Sequence, residues 1–197
     1  MPPREDLILF LDLETTGVEE QDEIIEVGMS MVETTEGYPE VGTFSLLALP
    51  SPDAFQRMLD KDVVRKMHED NGLLTDLEGL AETKAKFPYL DASIDRVDQM
   101  AVEWIDSRVN GDTTHIPLGG SGVLHFDRRF IKKYMPKLDK RLTHWAYDVG
   151  VLRRTFMKAG VKYASMDAKT HRALDDARVH ADEWRYYQEV IGGLERV

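Results

Sequence analysis

Cysteine is absent from this chain of 197 residues. Because disulfides and thiolate zinc sites both need cysteine, the sequence excludes them, and nothing in it demands an oxidising compartment. The first residues are charged or proline-rich, and the apolar run after them stops at Asp12, which is too soon for a signal sequence or a membrane span. We therefore expect a cytoplasmic protein that is not embedded in a membrane.

Positive charge is also scarce, with 25 Lys and Arg against 36 Asp and Glu and a formal net charge of −11. Tight binding of long duplex DNA depends on many cations that neutralise phosphates, so this balance argues against such a protein. Any nucleic-acid substrate should be small. The acidity does not exclude nucleotide chemistry, because a site for two divalent cations must itself concentrate carboxylates.

Length and composition predict one globular domain over residues 1–197. Hydrophobic residues make up 42% and charged residues 31% of the chain, which is typical of a folded protein with a sizeable core. No internal repeat or low-complexity linker divides it.

The order of the apolar patterns predicts an α/β fold. Apolar runs at 7–11, 24–32 and 41–47 predict three strands joined as an antiparallel meander. The other predicted elements are helices between 54 and 108 and at 126–135, 151–159 and 174–191, with strands within 116–123 and 145–148. This pattern indicates a mixed five-stranded sheet flanked by helices, and such sheets bind ligands at their strand ends.

Two carboxylates end the first predicted strand. Residues two apart on a strand point to the same face, so Asp12 and Glu14 should project together. Such a pair repels unless a cation or a proton neutralises it, and Mg²⁺ and Mn²⁺ prefer carboxylate oxygens. The pair favours a metal site; a solvated strand end before Gly17 is the alternative.

A histidine and two acids open the last predicted helix, where His171 precedes Asp175 and Asp176. Acids in a first turn commonly complement the helix dipole, which is the alternative to a catalytic role. A histidine beside a metal site can instead accept a proton from water. Asp127, where a glycine-rich loop meets a helix, is by itself explained as a helix-terminal residue. We assign no catalytic role to His115, His125, His144 and His180.

Together these segments resemble the DEDDh 3′-to-5′ exonucleases, a superfamily named after its four acids and its histidine. Asp12 and Glu14 match the first motif, and Asp127 matches the third acid. His171 and Asp176 match the element in which four residues separate a histidine from an aspartate.

Within that superfamily the sequence is most similar to the oligoribonucleases, and the similarity spans nearly the whole chain. The shared segments are Asp12 to Gly17, Ile24 to Glu26, Met67-His68 with Gly72-Leu73, Asp127 to Phe130, Tyr134 to Pro136, and Ala173 to Asp176. The resemblance implies a ribonuclease H-like exonuclease fold, two divalent metal ions, Mg²⁺ or Mn²⁺, and a homodimer. It also implies hydrolysis of short single-stranded RNA or DNA to nucleoside 5′-monophosphates.

The resemblance implies roles for individual residues as well. The expected metal ligands are Asp12, Glu14, Asp127 and Asp176, and His171 is expected to deprotonate the attacking water. The expected substrate contacts are Leu13, Thr16, Gly17, Val18 and His68. Among these, Val18 should pack on the terminal base and His68 should meet the 3′ end.

Three segments depart from the oligoribonuclease pattern. Val63 stands where a tryptophan is usual, and Gly119 to Val123 lacks an Asn-Ser pair. The stretch from His144 to Gly150 lacks a Tyr-Arg pair and a serine that help cap the far phosphate of a dinucleotide. These departures concern the substrate rather than the chemistry, so the resemblance does not extend to a strict dinucleotide preference.

Three functions remain open at this point. The first is an oligoribonuclease-like enzyme for short oligomers, the second is a proofreading or RNA-maturation exonuclease for longer single strands, and the third is a non-catalytic binding protein. All five matched site residues are present, which favours an enzyme. Substrate length separates the first two, because an enzyme that caps the far phosphate is fastest on two-residue substrates.

Overall fold

The computed structural model describes residues 6–109, 115–161 and 170–193. Within this part, five strands form one mixed sheet in the order β3-β2-β1-β4-β5. The strands are β1 (Leu7–Thr15), β2 (Ile24–Glu33), β3 (Glu40–Leu47), β4 (Ile116–Gly120) and β5 (Leu142–Asp148). β1, β2 and β3 form the antiparallel meander, and β4 runs parallel to β1 and to β5. The predicted α/β fold is confirmed.

Eight helices are described around this sheet. They are α1 (Pro52–Asp60), α2 (Asp62–Asp70), α3 (Leu73–Lys86), α4 (Ile94–Asp106), α5 (Asp127–Tyr134), α6 (Pro136–Asp139), α7 (Val149–Lys158) and α8 (Ala173–Gly192). The sequence pattern does not predict the short α6, because Pro136 indicates only the end of the preceding helix. Proline is tolerated at the first helical position, whose N–H has no partner inside the helix. None of the described helices is long and apolar enough to cross a membrane.

β1 is the central strand, and its two faces differ. Leu7, Leu9, Leu11 and Leu13 belong to the large core formed with α4 and α5. Ile8 and Phe10 point to the other face, where they pack with Ala181 and Trp184 of α8. Because side chains alternate along a strand, Asp12 and Glu14 continue the face that α8 covers.

The first turn of α8 rests directly on β2. A Cβ on Gly28 would lie 2.1 Å from the Ala173 carbonyl carbon and from the Leu174 nitrogen, so this approach requires glycine. Two residues earlier on the same face, the buried Glu26 accepts a hydrogen bond of 3.0 Å from the Ala173 N–H. In the strand register Gly28 lies opposite Asp12, and Glu26 lies opposite Glu14. The contact therefore brings the start of α8 beside both acids of β1.

Gly28→Ala should destabilise the protein, because its methyl group would overlap the backbone of α8. We expect the free energy of unfolding to fall by about 1–3 kcal/mol in urea denaturation. The matched control is Gly79→Ala in α3, where an added Cβ meets nothing within 4 Å. That variant should gain about 0.5–1 kcal/mol from helix propensity. Equal stability of the two variants would contradict the close approach of α8.

Candidate active site

A pocket opens at the edge of the sheet where β1 and β4 end. It has a volume of about 380 Å³. Its lining comprises Asp12, Leu13, Glu14, Thr15, Gly17, Val18, Val64, Met67, Ser121, Phe126, Asp127, His171 and Asp176. All five residues predicted to carry the chemistry therefore lie in one cavity, at the predicted strand ends.

Three elements and the segment just before α8 supply these five residues. Asp12 and Glu14 come from β1, Asp127 is the first residue of α5, and Asp176 lies in the first turn of α8, just after His171. Glu14, Asp127 and Asp176 are buried, whereas His171 is exposed. The pocket thus has acids at its base and an imidazole that reaches solvent.

Glu14, His171 and Asp176 form the tightest group of potential metal ligands among the described residues. One side-chain donor atom of each lies within 4.8 Å of the other two. Asp12 and Asp127 add two more carboxylates to the same pocket. Buried carboxylates this close together need a compensating positive charge, and hard divalent ions take carboxylate oxygens. The donor set fits such an ion, so these residues form a candidate acidic metal site.

Thr170 orients the Asp176 carboxylate through two hydrogen bonds. Asp176 Oδ1 accepts hydrogen bonds from the Thr170 N–H at 2.9 Å and from the Thr170 hydroxyl at 3.2 Å. Both bonds fall on one oxygen, so they define how the carboxylate faces the pocket.

The backbone around His171 is held from two sides. His171 has φ +53°, a left-handed conformation that is uncommon for a residue with a side chain. Its carbonyl accepts a hydrogen bond from the Asn71 side chain, at the end of α2. In the adjacent Arg172, Nη2 lies 2.9 Å from Glu26 Oε1, and Nη1 lies 2.9 Å from Asp76 Oδ2. The hydrogen bonds to Glu26 raise the pKa of Arg172. β2, α2 and α3 therefore all anchor the segment that presents His171.

Comparison with curated proteins identifies relatives over nearly the full chain. An oligoribonuclease of Hahella chejuensis is 30% identical over 195 residues, which cover 94% of this chain and 95% of the relative. One from Wigglesworthia glossinidia brevipalpis is 30% identical over 189 residues (93% and 92%), and one from Neisseria meningitidis serogroup B is 29% identical over 187 (92% and 90%). The chain belongs to the oligoribonuclease family. No family model matches it.

Three of the five substrate contacts predicted from the family resemblance line the pocket, namely Leu13, Gly17 and Val18. Val18 is 61% exposed, so its apolar side chain faces open space. The structure places the other two, Thr16 and His68, behind the pocket wall, and their contact with substrate stays a prediction.

Thr16 and His68 are both buried and support the wall from within. The Thr16 hydroxyl accepts a hydrogen bond of 2.9 Å from the Glu23 N–H. His68 Nε2 lies 3.2 Å from the Thr15 carbonyl oxygen, and burial lowers the pKa of His68. Because Thr16 and His68 lie next to the lining residues Thr15 and Gly17, they still influence the shape of the pocket.

Five lining residues were not predicted as site residues: Thr15, Val64, Met67, Ser121 and Phe126. Three of them adjoin predicted residues in sequence, which was the available signal. His180, to which no catalytic role was assigned, is buried with Nδ1 4.0 Å from Asp12 Oδ1. It follows Asp176 by four residues on α8, and this helical spacing could have indicated its position.

An ion pair between the buried Asp22 and the partly exposed Lys61 anchors the loop between β1 and β2, which carries Gly17 and Val18. Lys61 Nζ lies 2.7 Å from Asp22 Oδ2, and Asp22 has no exposed surface. Burial opposes ionisation of Asp22, but hydrogen bonds from Lys61 and from the Glu19 N–H outweigh it, so the pKa of Asp22 is lowered. The pair thereby sets the edge of the pocket.

Asp22→Asn should destabilise the protein near neutral pH, because Lys61 loses its charged partner. We expect a loss of about 1–3 kcal/mol in the free energy of unfolding. Since the folded-state pKa of Asp22 lies below the ordinary value of 3.8, this stabilisation is present above that pH and is lost as the pH falls through the folded-state pKa. Urea denaturation at a series of pH values should show the two proteins converging in acid.

The matched control for this experiment is Asp70→Asn, which removes an exposed ion pair in which Lys66 Nζ lies 3.6 Å from the carboxylate. Exposed pairs contribute little, so this variant should follow the wild type at every pH. A constant difference between Asp22→Asn and wild type from neutral to acid pH would refute the assignment of the effect to ionised Asp22.

Proposed function

We propose that the protein is a metal-dependent 3′-to-5′ exonuclease that hydrolyses short single-stranded oligoribonucleotides to nucleoside 5′-monophosphates. The observation that carries this proposal is the convergence of five motif-matched residues, Asp12, Glu14, Asp127, His171 and Asp176, in one pocket. Membership of the oligoribonuclease family supports the same reaction and substrate class. Short DNA oligomers are a second substrate class to test, because hydrolysis at a phosphate by carboxylate-held ions does not require a 2′-hydroxyl group.

The proposed metal ligands are Asp12, Glu14, Asp127 and Asp176, for two divalent ions, Mg²⁺ or Mn²⁺. Their support is chemical, since four carboxylates supply the oxygen donors that hard ions prefer. When bound, such ions supply activation of water and neutralisation of charge at the scissile phosphate. The carboxylates contribute by holding fixed positions on β1, α5 and α8, so little reorganisation is needed during the reaction.

His171 is the proposed general base. A donor atom of its imidazole lies within 4.8 Å of the Glu14 and Asp176 ligand atoms, which puts it in reach of a water between them. Its exposure gives the accepted proton a route to bulk solvent. The hydrogen bonds of Asn71, Arg172 and Thr170 around it hold the backbone segment that carries the imidazole.

Substrate binding is proposed to begin at the 3′ end. Val18 offers an exposed apolar surface at the pocket edge for the terminal base, with Leu13 and Gly17 beside it. Thr16 and His68 contribute to this binding by supporting Thr15 and the loop behind it. An exonuclease for longer single strands would share this site, and no specific observation favours it as the principal activity.

Substitutions at the site should separate the base from the ligands. With 5′-labelled RNA of two to about ten nucleotides, His171→Ala should lower kcat about 100- to 10,000-fold, as expected for loss of a general base. The same variant should still bind Mn²⁺ in calorimetry. Asp176→Asn should lose both hydrolysis and Mn²⁺ affinity, because a ligand is removed.

The control for the histidine substitution is the exposed His115→Ala, which should match the wild type. If wild-type protein with Mg²⁺ or Mn²⁺ cleaves no oligomer of any length, the exonuclease proposal fails. If His171→Ala loses Mn²⁺ binding together with activity, His171 is a ligand and not the base.

We also propose that the protein is a homodimer. The support is the family resemblance and an apolar surface on α7, where Val151 is 50% and Met157 is 42% exposed. These residues line one shallow depression with Arg154, Thr155 and Lys158. A second copy of the chain that covers this surface would remove it from water.

Light scattering after size exclusion should give about twice the 22.5 kDa chain mass. Val151→Asp should shift the mass towards one chain, since a charge in an apolar interface is costly. The control is Val63→Asp on α2, where the valine is 83% exposed, and it should leave the mass unchanged. A wild-type mass of one chain would contradict the dimer.

Two broader features complete the proposal. Residues 1–197 are proposed to form one exonuclease domain, supported by the single sheet to which the described strands belong. The cytoplasm is the proposed compartment, supported by the lack of cysteine.

A further inference from the structure

Positive charge is concentrated in one short stretch of this acidic protein. Residues 127–141 contain seven of the 25 Lys and Arg but only two of the 36 acids. The seven are Arg128, Arg129, Lys132, Lys133, Lys137, Lys140 and Arg141. This stretch comprises α5, α6 and the residues that join α6 to β5, so the charge is carried by adjoining elements.

Two of the seven cations serve the interior. Arg128 pairs with Asp139 at 3.0 Å, and Arg141 pairs with Asp106. The other five, which we call the basic strip, are exposed: Arg129, Lys132, Lys133, Lys137 and Lys140. Within the described part of the chain, no salt bridge joins a member of the strip to a carboxylate.

Exposed cations elsewhere are paired more often. Arg178 forms a salt bridge of 3.0 Å with Glu40, and Lys66 forms one of 3.6 Å with Asp70. The basic strip thus has charge available for an external anion, on a surface whose net charge is otherwise strongly negative. A local positive region of this kind attracts a polyanion along its own length.

The strip begins at the pocket. Phe126 and Val18 both line the pocket. The Arg129 guanidinium lies 4.9 Å from the centre of the Phe126 ring and donates a hydrogen bond to the Val18 carbonyl. A depression of about 560 Å³ follows along α5, lined by Glu19, Glu20, Arg129, Phe130, Lys132 and Lys133. α5 extends about 12 Å from Asp127, so the strip leads away from the candidate metal site.

The pocket itself is small for an oligonucleotide. Its 380 Å³ lies near the lower end of the roughly 300–1,000 Å³ typical of small-ligand sites. Most of a substrate longer than a few nucleotides must therefore lie outside it, and each further residue brings one more phosphate. Those phosphates need cations, because the acidic remainder of the surface repels them.

We propose that the basic strip binds backbone phosphates on the 5′ side of a single-stranded oligonucleotide whose 3′ end occupies the pocket. The inference rests on the proposed function and adds a substrate preference to it. Oligomers of several nucleotides gain contacts that a dinucleotide cannot reach. The protein therefore retains longer members of the short-oligomer class better than dinucleotides.

The test uses Lys132→Gln/Lys137→Gln. Arg129 and Lys133 are left intact, because they donate to the Val18 and Glu20 carbonyls and hold the pocket loop. The control is Lys84→Gln/Lys86→Gln on α3, which removes the same charge outside the strip. Two readouts are compared: anisotropy of a labelled ten-nucleotide RNA bound to each protein in an Asp12→Ala background, and the ratio of kcat/KM on the ten-nucleotide RNA to that on a dinucleotide.

The strip variant should weaken binding of the ten-nucleotide RNA roughly tenfold at low salt and lower the slope of log K against log salt by about 1.4, or 0.7 for each lost contact. The kcat/KM ratio should fall to a similar extent, whereas the control should match the unsubstituted protein in both readouts. The proposal that the basic strip binds phosphates is overturned if the salt slope and the kcat/KM ratio are unchanged in the strip variant. Equal losses in the control variant overturn it as well. If no oligomer is hydrolysed, the proposed function fails, and anisotropy still decides whether the strip binds RNA.

Discussion

The candidate site depends on the contact between the first turn of α8 and β2. Gly28 lets the backbone of Ala173 and Leu174 approach the strand, and Glu26 accepts the Ala173 N–H. The register puts these two β2 positions opposite Asp12 and Glu14. Because that contact positions the start of α8, residues from the two ends of the chain meet in one pocket.

Electrostatics explains the arrangement around that contact. Glu14 and Glu26 are buried carboxylates on neighbouring strands, and such a pair is unfavourable without positive charge. Arg172 binds Glu26, just as Lys61 binds Asp22 in the adjoining loop. The protein therefore provides its own cations for the acids that support the site, and a divalent ion would provide the charge for the proposed ligands.

Charge is also distributed unevenly over the surface. An acidic protein gains little from general attraction to nucleic acid, so binding must come from local contacts. The segment that begins with Asp127 supplies a carboxylate to the pocket and exposed cations immediately outside it. The same helix, α5, thus carries a proposed metal ligand and cations that can contact the substrate. The departures of this chain from the oligoribonuclease sequence pattern also concern the substrate.

The sequence by itself determined the strands and the shared face of Asp12 and Glu14. The remaining candidate residues, Asp127, His171 and Asp176, came from its resemblance to the DEDDh exonucleases. Periodicity is sufficient to predict the shared face of Asp12 and Glu14, because side chains alternate between the two faces of a strand. Only the tertiary structure decided that Thr16 and His68 lie behind the wall, that Val64 and Ser121 line the pocket, and that His180 approaches Asp12. The distances between elements depend on how the elements pack, and here on how closely α8 approaches β2 at Gly28. A pattern within a single element does not encode such a distance.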